Sequence, residues 1–165
     1  MERARRVFLQ QMTWGVAGLT LPSLARPAEA GTHTHTPGGI AWKTWAEGTA
    51  KAASEHKAIG LLIYADWCPH CRELEPVFHT PDIVKLATPL IMIRQNADEH
   101  TDWLVQRFGA LGSYVPRLFF LHPDASVARD ITSGNARFPY YYQAHHPDRL
   151  QDAMKRAAAL GGKRG

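Results

Sequence analysis

The 165-residue chain has only two cysteines, too few for a disulfide-stapled miniprotein or for a zinc ribbon held by four thiolates. It has no apolar run strong enough to cross a bilayer stably: the most hydrophobic stretch, residues 7–24, is interrupted by Gln10, Gln11, Thr13 and Pro22. No run of Lys or Arg exceeds two residues. Four of the 19 basic and two of the 15 acidic residues fall in the first 30 positions, so the rest carries a net charge of only +2. The pI near 9.3 therefore gives no support to a nucleic-acid-binding protein. Internal repeats are absent too, and the 13 Gly and 11 Pro are scattered rather than gathered in one low-complexity tract. With 45% hydrophobic and 21% charged residues, the composition excludes disorder, collagen and coiled coil, and leaves one ordinary folded domain.

Residues 1–30 read as an address. Arg3, Arg5 and Arg6 give a basic start, an apolar stretch follows, and Ala28-Glu29-Ala30 offers small residues where a signal peptidase cuts. Arg5-Arg6-Val7-Phe8-Leu9-Gln10 resembles the twin-arginine export consensus, which implies a bacterial periplasmic protein with a mature chain starting near Gly31. The plainer alternative is a basic amphipathic helix. Export by that route carries folded proteins, so the cysteines are expected to travel as thiols, and no membrane span remains after cleavage. Residues 31–39 (GTHTHTPGG) read as a flexible leader, and residues 40–165 as the domain. His33 and His35 in that leader could bind Cu(II) or Zn(II), against the blander reading of a solvated tail.

Within the domain, Thr44-Trp45-Ala46-Glu47 has the form of a capping box, with Trp42, Trp45, Ala46, Thr49, Ala50 and Ala53 at helical spacing behind it. Residues 59–65 (IGLLIYA) predict a strand buried on both faces. Pro69 opens a helix with Leu74, Val77 and Phe78 inward, and Thr80-Pro81 caps another through Ala87. Strands are predicted over 90–94, 117–121 and 127–131, and helices over 102–108 and from Pro147, the last with Leu150, Met154 and Ala157 inward. Residues 132–146 are irregular and aromatic. The order α-β-α-α-β-α-β-β-α gives an α/β sandwich around one mixed sheet.

The chemistry concentrates at Trp67-Cys68-Pro69-His70-Cys71, between a buried strand and a helix start. Unpaired N–H groups at a helix start stabilise a thiolate on Cys68. A bend there is expected to expose the first sulfur and turn the second inward. Cys68 then attacks a substrate disulfide and Cys71 resolves the mixed disulfide. His70, as imidazolium or donor, favours the thiolate further. A two-residue loop closes too little chain to be a structural staple. The rival reading makes Cys68, Cys71 and His70 part of a soft metal site, for copper above all. Pro116 stands at the start of the RLFFL strand, where a cis proline would let the backbone of Val115 pair with an extended substrate segment. Trp67 borders the same site.

WCPHC after an apolar strand, with Val115-Pro116 45 positions beyond Cys71, resembles the thioredoxin fold. GSYVPRLFFLHPDASV and the FPYYY segment resemble more closely the anterior-gradient group of small thioredoxin-domain proteins of the endoplasmic reticulum. The resemblance implies a thioredoxin-like three-layer sandwich with a central mixed sheet. It also implies Cys68 as nucleophile, Cys71 as resolving thiol and Pro116 as cis-proline. The Pro69-His70 dipeptide is like that of DsbA, which implies an oxidising pair, although the chain is too short for DsbA's inserted helical domain. Thioredoxins carry a buried Asp where this chain has Leu62, so proton transfer to Cys71 lacks its usual partner; Asp66 reads as a solvated loop residue. The function expected is a periplasmic thiol–disulfide oxidoreductase, oxidant or isomerase, that acts on exported protein thiols through a redox partner. It needs no cofactor beyond the Cys68–Cys71 pair. A binding or chaperone domain is the remaining alternative. His145-His146 is assigned to the last helix's cap, and residues 138–142 to packing or to a sticky substrate surface.

Overall fold

The computed structural model describes residues 39–99 and 101–162. The export signal read over residues 1–30, the leader up to residue 38, and His33 and His35 lie outside the described residues. The chain runs α1 (Trp45–Glu55), β1 (Ile59–Tyr64), α2 (Pro69–Leu74), a 3₁₀ turn (Glu75–His79), α3 (Pro81–Ala87), β2 (Ile91–Asn96), α4 (Thr101–Phe108), a second 3₁₀ turn (Gly109–Leu111), β3 (Arg117–Leu121) and α5 (Pro147–Ala158).

β1 is the middle strand of the order β2-β1-β3, parallel to β2 and antiparallel to β3, with Ile59 opposite both Ile91 and Leu121. Its nearly continuous apolar sequence follows from burial on both faces. Alternate side chains go to two cores. Ile59, Leu61 and Ile63 join Ile93, Phe119 and Leu121 on one face, closed by Ala52 of α1 and Leu104 and Phe108 of α4. Leu62 joins Met92, Leu118 and Phe120 on the other, closed by Leu74, Phe78 and Ile83 and by Leu150 and Met154 of α5. The result is a helix–sheet–helix sandwich of three layers. A slip of one residue in β1 would exchange the two sets, each large side chain being worth about 1.5–3 kcal/mol of burial, so the register is firmly set.

Both sheet edges are covered. Lys43 bridges to Ile93 along β2, its N–H donating to Met92 O at 2.9 Å. On β3, Leu118 N–H donates to Tyr140 O at 2.8 Å and Phe120 O accepts from Ala128 N–H at 3.0 Å. The fourth strand expected over 127–131 is reduced to a single bridge, Leu121 to Val127. The reason is the spacing of the inward residues: Ala128 and Ile131 are buried and the two between them exposed, a period of three that turns the chain instead of extending it.

The Thr44 capping box forms with both of its hydrogen bonds. The inward stripe of α1 differs from the expected one, since Gly48 and Ala52 are buried while Ala46, Ala50 and Ala53 face out. A Cβ on Gly48 would overlap the Ile93 side chain, so the glycine sets how closely α1 lies on the sheet. Thr80 takes the N-cap backbone conformation of α3, but its hydroxyl donates to Val77 O at 2.8 Å and makes no side-chain cap.

Candidate active site

The strand β1 delivers the chain at Tyr64 to a short turn that starts α2. Cys68 is the N-cap of that helix and Pro69 occupies its first turn, where a missing N–H costs nothing. The cap is made by sulfur: the Cys71 N–H donates to Cys68 Sγ at 3.2 Å. The Cys68 thiol donates in turn to the carbonyl oxygen of Val115 at 3.5 Å. The Val115–Pro116 peptide bond is cis. Both cysteines are free thiols.

The two thiols face different surroundings. Cys68 lines a groove of about 750 Å³ together with Trp67, Pro69, His70, Val105, Tyr114 and Val115. Cys71, half-buried as a residue, lines a narrow cleft with Leu62, Tyr64, Phe78, Pro116, Glu75 and Arg94. Burial pushes the Cys71 thiol up to about 12 from its ordinary value of 9, and its hydrogen bond with Cys68 adds to the shift. The expectation of an exposed first sulfur needs correction. Cys68 is only 3% exposed, because its sulfur sits beneath the Val115 carbonyl and against the amide of Cys71.

The other expected residues gather here as well. Trp67 is 65% exposed, and its indole N–H donates to Asp98 Oδ2 at 2.9 Å, which fixes the ring beside the groove. His70 Nδ1 lies 3.0 Å from Glu73 Oε2, and its ring is 5.5 Å from that of Tyr141. Asp66 is exposed, as the sequence suggests, and accepts from Asn96 Nδ2 at 3.1 Å. Among the described residues no group of three or more His, Cys, Asp or Glu comes together to hold a metal. The His145 and His146 rings pack on each other with centroids 4.6 Å apart.

Several contributors escaped the sequence reading. Asn96, at the end of β2, ties the Asp66 turn to the Asp98 turn, since its Oδ1 also accepts from Asp98 N–H at 2.9 Å. A polar pair, Gln95-Asn96, ending an apolar strand was the available signal. Arg117 is buried beside Pro116, donates to Phe108 O at 3.1 Å and to Gly112 O, and so anchors the groove wall that follows α4. Gly112 has φ 114°, a left-handed conformation that suits glycine, and it lies against the Tyr114 ring. Tyr141, unlike these, lies in the 138–142 stretch that the sequence offers as packing or a sticky substrate surface; its ring is 5.5 Å from that of His70, and its hydroxyl, raised first by burial, also feels Glu73 and both cysteines.

Fold and site together define a dithiol protein of the thioredoxin type: a three-layer sandwich with Cys-Pro-His-Cys at a helix start, after the central strand and against a cis proline. A family model described as thioredoxin-like matches residues 41–123. Over 122 residues the chain is 30% identical to anterior gradient protein 2 homolog of Homo sapiens, covering 72% of this chain and 66% of that protein. It is 32% identical over 119 residues to anterior gradient protein 2-B of Xenopus laevis, covering 72% and 70%. A solved thioredoxin from Thermus thermophilus superposes with a TM-score of 0.58 at 16% identity, covering 73% of this chain and 88% of that one, a likeness of fold. The chain belongs to the thioredoxin-like family. Its match spans just under two thirds of the human relative's length. No helix among the described residues is long and apolar enough to cross a membrane.

Proposed function

We propose that the chain is an exported thiol–disulfide oxidoreductase that works in the bacterial periplasm, reached by the twin-arginine route, as an oxidant or isomerase of exported proteins. The observation that carries this reading is the unequal setting of two thiols three positions apart. Cys68 borders an open groove and accepts a hydrogen bond from the Cys71 N–H, while burial holds Cys71 protonated.

In the isomerising direction the Cys68 thiolate attacks a substrate disulfide. A Cys68–substrate bond forms, the substrate S–S bond breaks, and a substrate thiolate leaves. Because Cys71 ionises with such difficulty, this mixed disulfide lives long enough for the substrate to rearrange. When Cys71 does lose its proton to solvent, it attacks the Cys68 sulfur, forms the Cys68–Cys71 disulfide and releases the second substrate thiolate. Two electrons have then passed from the dithiol to the substrate. In the oxidising direction the same bonds form and break in reverse, and a redox partner protein reoxidises the pair. The redox equivalents reside in the cysteines, so no organic cofactor is required.

Pro69 opens the helix whose N-cap is Cys68, and His70 borders the groove beside it. Val115 offers backbone groups beside that sulfur for an extended segment to pair with, Pro116 seats that peptide, and Trp67 supplies apolar surface at the mouth. Equilibration of the mature domain with glutathione tests the direction. A reduction potential of about −120 to −180 mV is the expected result, and one near −270 mV would make it a reductase and overturn the oxidant or isomerase reading.

A further inference from the structure

The cleft behind Cys71 contains a charge that the cysteine chemistry above does not use. Arg94, on β2, is held by Glu75 through two contacts, Nη1 to Oε1 at 3.0 Å and Nη2 to Oε2 at 2.9 Å. Glu75 follows Cys71 by four positions at the end of α2, which brings it to the same side of the helix turn. The guanidinium also lies over the Tyr64 ring, 4.1 Å from its centroid, and within 6.0 Å of that of Trp42. Its Nε–H is buried and has no hydrogen-bond partner. Cys71, Tyr64, Glu75 and Arg94 line one cleft with the apolar Leu62, Leu74 and Phe78, which offer the Cys71 sulfur no charge or hydrogen-bond donor.

We propose that Arg94, held in place by Glu75, stabilises the Cys71 thiolate whenever that sulfur attacks or leaves, so that a cation on β2 assists a thiol on α2 across the cleft. This rests on the oxidoreductase reading. The charged and titratable groups around Arg94 are Glu75, Tyr64 and Cys71, with His79 against Glu75 at 3.5 Å. A buried N–H donor without a partner is costly to leave unmade, and a thiolate forming in the same cleft is an acceptor of opposite charge. In the resolving step Cys71 gives its proton to solvent base, its electron pair forms the bond to Cys68, and the substrate thiolate carries away the pair of the broken bond. Arg94 loses nothing in this exchange. Its field also lowers the pKa of Cys71 against the upward pull of burial.

The test separates the two steps with dithiodipyridine, a neutral aromatic disulfide that releases a coloured thiopyridone at each one. The first release reports attack by Cys68, the second resolution by Cys71. Arg94→Met and Arg94→Gln, which remove the charge and keep a stem over Tyr64, are expected to slow the second release about tenfold. The first stays within about twofold, and Arg94→Lys restores the second to within about threefold. The apparent pKa governing the second release is expected to rise in the neutral variants and return in Arg94→Lys. A second release unchanged in the neutral variants, or both releases slowed alike, overturns the proposal. Should neither neutral variant fold, Glu75→Gln decides: it keeps a carbonyl oxygen for Arg94 and removes the opposing charge, so the second release is expected to quicken, and an unchanged rate overturns the idea. Absence of the first release, or its survival in Cys68→Ser, would instead sink the oxidoreductase reading itself.

Discussion

The two sides of the Val115–Pro116 peptide are built in opposite ways. On the Val115 side lies a groove large enough for a peptide, bordered by Trp67 and by Val105, the latter 60% exposed. On the Pro116 side lies a narrow cleft floored by Leu62 and Phe78 and bordered at one end by the Glu75–Arg94 pair. Cys68 belongs to the first and Cys71 to the second, although a single helical turn separates them. Chemically identical thiols thus acquire different duties from their surroundings, Cys68 beneath the Val115 carbonyl at the groove and Cys71 among the residues of the cleft. The groove side selects what reacts, and the cleft side sets how long the intermediate lasts.

The largest effects come from removing either thiol. Cys68→Ser is expected to abolish disulfide exchange, and Cys71→Ser to leave Cys68 trapped in mixed disulfides with its substrates, visible as thiol-sensitive adducts on non-reducing gels. In the wild type, Cys71 with a pKa of about 12 is ionised to only about one part in 10⁵ at pH 7. The lifetime of the mixed disulfide should therefore fall about tenfold for each unit by which the pH rises, through the range in which Cys71 is still protonated. A lifetime independent of pH between 6 and 9 would mean that Cys71 is not the resolving group, and the division between groove and cleft would lose its chemical meaning.

How much of this was legible follows from which signals are local. IGLLIY and RLFFL announce buried strands because a run apolar at every position has no polar face to show water, and Thr44 with Glu47 announces a cap. WCPHC and Val115-Pro116 locate the dithiol and its backbone partner, since those residue types carry their chemistry with them. The fourth strand failed because Val127 to Ile131 has strand-like composition, while its burial follows tertiary packing at a spacing of three. The stripe of α1 failed for a similar reason: Gly48 is buried by what presses on it, Ile93, and a glycine carries no hydrophobic signal. Arg94 and Glu75 stand 19 positions apart and look like two ordinary surface charges until β2 and the end of α2 are folded together.

A substitution on the cleft side breaks the contrast directly. Leu62 is buried among Leu74, Phe78, Leu118 and Phe120, so Leu62→Ala should cost about 3 kcal/mol of stability in denaturant titration. The space opened lies beside Cys71 and can admit water. Burial is the principal cause of the raised thiol pKa. Alkylation of Cys71 as a function of pH should then show its pKa moving down toward 9, and resolution at neutral pH should speed up by about tenfold. Loss of stability with an unmoved pKa would show that the cleft is packing and nothing more.

The smallest effect sharpens the groove side. Trp67 presents a wide apolar face, and its indole N–H is spent on Asp98 at 2.9 Å, so the ring is aimed as well as exposed. Trp67→Phe keeps most of the surface and removes the hydrogen bond that orients it. An exposed bond of this kind contributes about 0.5–1.5 kcal/mol at most, and the lower end applies where water can replace the partner. The expected outcome is a rise in KM of about twofold to threefold for a peptide disulfide, with turnover unchanged. A small disulfide such as dithiodipyridine, which reaches Cys68 without lying along the groove, should react at the wild-type rate. If both substrates slow together, Trp67 acts on the thiol through Asp98 and the turn that Asn96 braces. If neither slows, substrate does not lie along the face that Trp67 presents, and the apolar wall around Val105 is left to hold it.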